Sequence, residues 1–165
     1  MKTLSLLFVV LAAALVPATV AAEPPQDFVT GSGWISYFDF PTAGETTVEQ
    51  NAVSAHAGPL GEDPHGTLLL HSPFGDQRAT VTCLHVTGSK AVVGGEITSG
   101  GTYLGLPVTH LELTIEDNGS GRGAPDTAIG FIFINRPPGF DPCTPVLGFP
   151  PIYDVVRGNF VVNDA

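Results

Sequence analysis

The sequence predicts an all-β fold, a single antiparallel barrel or sandwich of about eight strands, and three observations carry the prediction. Apolar runs are short and β-branched, as in "VTCLHV" and "GNFVVN". Turn-forming clusters separate them, and 20 Gly with 15 Pro leave little room for a long helix. No stretch combines sustained 3.6-residue apolar spacing with helix caps.

The elements follow in chain order. Residues 1–22, MKTLSLLFVVLAAALVPATVAA, set Lys2 before an apolar run over 4–16, then Pro17 and small residues up to Ala22. This is the pattern of a secretory signal peptide cleaved after Ala22. The run is shorter than the roughly 20 residues of a membrane span, and it leads into Glu23, Pro24 and Pro25 instead of basic anchors. The expected mature chain, residues 23–165, is a secreted single domain with no membrane span. Strands are expected at residues 29–35, 47–57, 67–72, 78–87, 90–98, 108–116, 127–135 and 155–163. Gly88-Ser89 in "VTGSKAV" suits a two-residue hairpin turn between the fourth and fifth, because glycine accepts positive φ.

Alternation assigns faces. In the sixth strand Thr109, Leu111, Leu113 and Ile115 share one face, expected to be core, while His110, Glu112, Thr114 and Glu116 share the other, expected to be wet. In the last, Val156, Phe160 and Val162 are expected inward and Arg157, Asn159 and Asn163 outward. The seventh, "AIGFIFI", is apolar on both faces and needs an outer cover. The candidate cover is the Pro-rich segment 136–154, either a structural lid or a rim for a ligand or partner, with Phe140, Phe149 and Tyr153 as the rim side chains.

Once Lys2 leaves with the leader, five basic residues face sixteen acids. Such a surface repels phosphate backbones, which excludes nucleic acid and anionic membranes as expected partners. Cys83 and Cys143 are the two cysteines, and in an oxidising compartment they are expected to form a disulfide. A loop of about 60 residues closed in this way stabilises the fold by roughly 4 kcal/mol through unfolded-state entropy.

Chemistry-bearing motifs are sparse. "IEDNGSGRGAPD" covers residues 115–126, and its Asp117, Asn118 and Asp126 echo the oxygen ligands of a calcium loop. However, Gly119 and Gly121 take two ligand positions, Asp126 falls tenth in the run from Asp117 where a bidentate acid belongs twelfth, and Arg122 adds a cation. The stretch is read as a turn; Asp117 and Asp126 are the residues that a calcium ion would use. Asn118-Gly119-Ser120 is a glycosylation acceptor pattern. His56, His65, His71, His85 and His110 contain no His-x-His or HExxH pair, so a metal site shared with Glu112 or Glu116 would require neighbouring strands to assemble it. The GSG runs at 31–33 and 119–121 lack the spacing of a nucleophile elbow and suit β turns. No residue is assigned a catalytic or cofactor-binding role.

The stretches "VTGSGW", "VTCLHVTGSKAVVGGEI", "LTIEDNGSGRGAPDTA" and "VVRGNFVVNDA" resemble a widespread group of small secreted bacterial β-domains of unknown role. Cys83, Val86, Gly88 and Ala91 match that group's C-x-x-V-x-G-x-x-A hairpin, Asp117, Gly119 and Asp126 its D-x-G…D turn, and Gly158 and Asn159 its G-N ending. The resemblance implies an accessory role outside the cytoplasm. The function expected is thus an exported non-catalytic β-domain whose partner is an extracellular protein, a glycan or a small apolar ligand. The alternative is a small-molecule carrier that uses a barrel interior, with a secreted hydrolase third.

Overall fold

Each of the eight expected segments forms a strand, and alternating side chains bury one face of nearly all of them. The computed structural model describes residues 25–38, 46–73, 75–103, 105–119, 123–137, 139–144 and 153–165. The expected leader, residues 1–22, lies outside the described residues, as do Ser120, Arg122 and Phe149. The strands are β1 (Asp27–Phe38), β2 (Thr46–Ala57), β3 (His65–Ser72), β4 (Gly75–Thr87), β5 (Lys90–Ser99), β6 (Thr102–Tyr103), β7 (Leu106–Glu116), β8 (Thr127–Ile134) and β9 (Tyr153–Asn163). The two-residue β6 was not expected; it is a short strap paired to the start of β7.

All pairings are antiparallel, and sequence neighbours pair throughout except β5 and β6. Two further pairings close the sheet: β5 with β7 across the β6 excursion, and β1 with β9 across the whole chain. Eight strands therefore form a ring, a meander whose β8–β9 junction is laddered only at Thr127 and Ala128 among the described residues. The β4–β5 hairpin turns at Gly88, φ +60°, with Thr87 opposite Lys90.

The interior is filled at one place by a single large ring. Phe160 of β9 is fully buried, and opposite it β1 carries Gly31 and Gly33. A Cβ on Gly33 would lie 2.8 Å from the Phe160 ring and 2.6 Å from Val155. The first GSG run is thus not a turn: it sits in mid-strand, where missing side chains make room for an aromatic one. A register shift between Trp34 and Ile35 changes the phase of β9 at this point. Val155 is buried and Val156 is 62% exposed, which corrects the inward placement expected of Val156. The bulge inserts one residue, and every side chain before it changes face.

Closure near β9 depends on side chains as well as on the ladder. Among the described residues β8 pairs with β9 through Thr127 and Ala128. Farther along β9 the amides of Phe160 and Val162 donate to the carboxylates of Asp126 (2.8 Å) and Asp117 (3.1 Å), and the Val155 amide donates to the Asp126 carbonyl (2.8 Å). The other carboxylate oxygens accept the amides of Asn118 and Gly119. The turn after β7 therefore reverses the chain and also clamps β9. Each such charge-assisted bond contributes about 1.5–3 kcal/mol. Asp126→Ala is expected to lower the unfolding free energy by roughly 3 kcal/mol in urea titrations, and calcium added to the wild-type protein should leave the midpoint unchanged; an undiminished stability in the variant would refute the clamp.

Candidate functional site

Where Phe160 does not reach, the barrel is hollow. A partly open cavity of about 280 Å³ lies inside the ring. Its apolar wall comes from Leu68 and Leu70 of β3, Leu111 and Leu113 of β7, and Ile132 of β8. Tyr103 of β6 and Tyr153 of β9 also line it, so Tyr153, the expected rim residue, borders the interior. Ile129 and Phe131 belong to the lining too, and they alternate with Gly130 and Ile132, so the cavity reaches the edge of β8.

One patch of the wall is polar. Glu49 and Asn51 project from β2 and are 5% and 3% exposed, and the Asn51 amide donates to Glu49 Oε1 at 2.9 Å. They lie in phase with Val53, Ala55 and Ala57, all buried on the same face of the strand. Gly130 stands opposite, and a Cβ there would lie 3.3 Å from Glu49 Oε1 and 3.6 Å from Asn51 Oδ1. Sequence reasoning passed over this pair. The available signal was two hydrogen-bonding residues in the inward phase of a strand whose other inward positions are apolar.

A second layer covers the barrel from outside. His110, Glu112 and Thr114, expected to face water, are 3%, 5% and 8% exposed. The Pro-rich segment is the reason. Phe140 packs edge-on against His110, with ring centroids 5.2 Å apart, and against Phe133 at 5.1 Å, while Arg136 lies over both phenyl rings. Pro142 occupies the space above Gly94, where a Cβ would meet it at 2.5 Å. A bulge in β4 between Val81 and Cys83 turns Cys83 outward to bond Cys143, 60 residues away. Phe140 thus lies on the outside of the barrel, apart from the cavity lined by Tyr153.

Burial perturbs two ionisable groups in this layer. The Glu112 carboxyl is pushed up to about 7, first by desolvation and further by the Asp141 charge, with the Thr114 hydroxyl opposing. Its Oε2 has no hydrogen-bond partner among the described residues. His110 is pushed below its usual value by burial, with Glu96 opposing.

The other candidate metal ligands do not converge. His56 and His65 stack at 5.6 Å across β2 and β3, and His71 pairs with Asp76. Among the described residues, the cluster of three potential ligands is Cys83, Asp141 and Cys143, whose two sulfurs are bonded to each other. Asp117 and Asp126 lie at the clamp described above. Comparison with family models, curated proteins and solved structures finds no match.

The raised Glu112 value has a stability consequence with a definite sign. The folded state holds the proton more tightly than the unfolded chain between pH 4.5 and about 7, so stability is highest below that window and falls as pH rises through it. With allowance for solvent screening the loss is on the order of 1–2 kcal/mol. Urea midpoints at pH 5 and pH 8 should differ less in Glu112→Gln than in the wild-type protein; an equal difference in both would remove Glu112 as the cause.

Proposed function

We propose that the protein is an exported, non-catalytic β-barrel that binds one small, mainly apolar ligand in its interior. The hollow beside Glu49 and Asn51 carries this reading: apolar walls with a single polar patch are the composition of a ligand pocket. Eight strands give a barrel wide enough either to be filled by side chains or to hold one small molecule. Here Gly33 admits the Phe160 ring, whereas the position over Gly130 is met by the Glu49 and Asn51 oxygens that border the cavity. The leader pattern and the Cys83–Cys143 disulfide support export, and no helix among the described residues is long and apolar enough to cross a membrane. The likeness of four sequence stretches to secreted β-domains supports an accessory rather than a catalytic role.

Hexanol tests the reading. In an amide NMR titration it should shift the resonances of Leu111, Leu113, Gly130 and Ile132 with millimolar or tighter affinity. Gly130→Leu, which places a side chain in the cavity without backbone strain, should abolish those shifts. Perturbations confined to the outer surface, or none at all, would count against an interior site.

A further inference from the structure

We propose that the outer face of β1–β4 binds a neutral oligosaccharide, laid across the strands on a platform that begins at Trp34. The site lies outside the barrel and stands independently of the interior reading. Register assembles it from residues far apart in the chain. Trp34, Gln50, His71 and Asp76 follow one another across β1, β2, β3 and β4. Beside them runs a second row, Ala52, Leu69 and Arg78, with Ser99 of β5 opposite Arg78. The members on β1–β4 alternate with buried neighbours such as Ile35, Asn51, Leu70 and Gln77, so both rows point outward. At about 4.8 Å between strands, a row of four spans roughly 14 Å.

An open groove of about 340 Å³ lies along the two rows. Leu69, 43% exposed, and Ala52 give it an apolar patch, and the polar members of the rows surround that patch with hydrogen-bonding groups. Trp34, half-buried, meets the His71 ring nearly at right angles with centroids 6.5 Å apart, and so adjoins the groove. Charge then selects the ligand class. His71 pairs with Asp76, whereas the exposed Arg78 side chain has no ion-pair or hydrogen-bond partner among the described residues. An anion drawn to Arg78 would also meet Asp76, two positions away on the same face, and a chain of formal charge −10. A cation drawn to Asp76 would meet Arg78. A neutral ligand rich in hydroxyls meets neither penalty. Each hydroxyl donates and accepts, which matches the guanidinium donors, the Asp76 carboxylate and the two-sided Gln50 amide together. The C–H face of a pyranose ring covers Leu69 and the Trp34 ring, which hold no charge to desolvate.

Trp34 is the chain's one tryptophan, so its fluorescence reads the site directly. The test titrates two neutral hexamers, cellohexaose and maltohexaose, against hexagalacturonate and the glucosamine hexamer, which match them in length and carry opposite charges. At least one neutral hexamer should shift the Trp34 emission with millimolar or tighter half-saturation and bind more tightly than either charged one. In amide NMR it should move Ala52 and Leu69 and leave Leu113 and Gly130 in place. Arg78→Ala should weaken that binding roughly tenfold, as expected for the loss of charge-assisted bonds. Leu69→Lys, which sets a charge on the apolar patch, should do the same, and it serves if Arg78→Ala fails to fold. No response to either neutral hexamer, tighter binding of a charged one, or full affinity in either folded variant would overturn the assignment and leave the interior site untouched.

Discussion

Two aspartates of the β7–β8 connection, Asp117 and Asp126, help to decide whether this sheet is a ring or a ribbon. A meander of antiparallel strands closes easily between sequence neighbours, but its last junction needs a ladder between elements that no short turn connects. Here β9 is paired to β1 along most of its length, while its other side receives carboxylates: Asp126 on Phe160 and Asp117 on Val162. Charge-assisted acceptors replace part of the strand-to-strand ladder, and they come from a segment that also has to reverse the chain. Asp126, 5% exposed, can stay buried because its oxygens accept two amides.

With the ring closed, the interior is divided by glycine. Gly33 gives way to the ring of Phe160, which is fully buried, while Gly31 lets the β9 backbone approach, and the region around them is dense. Over Gly130 stand the Glu49 and Asn51 oxygens instead. The same residue type therefore admits an aromatic ring in one strand and a polar pair in another, and only the opposing strand shows which. Outside the ring residues 139–144 form a second layer over β7 and β8, fixed by Cys143 and by Phe140 against Phe133 and His110. That layer explains how a strand with Glu112 in its sequence can be buried on both faces.

Much of the architecture was legible because it rests on local chemistry. Strand positions follow from period-two alternation, the β4–β5 hairpin from Gly88, and the disulfide from two cysteines with no other partner. What failed to appear in the sequence was set by pieces distant in the chain. Val156 changed face because of a bulge opposite Trp34, and His110, Glu112 and Thr114 are dry because residues 140–143 lie over them. The polar patch of Glu49 and Asn51 was present as a pattern, but its meaning depended on Gly130, some eighty positions later, standing across the barrel. Asp117 and Asp126 were legible as residues of the β7–β8 connection, whereas their reach to β9 required the ring to be known.

The strand order also constrains how the molecule assembles. Every junction except two joins consecutive strands, so hairpins can zip from any starting place at small entropic expense. The β1–β9 junction instead brings together Phe28 and Asn163, near opposite ends of the folded chain. Loop-closure entropy makes that the most demanding step, and it grows only logarithmically with length. Because Gln26 and Asn163 meet there through a side-chain hydrogen bond, a circular permutant with joined ends and a new opening at the β4–β5 hairpin would convert this slowest seam into an ordinary local turn.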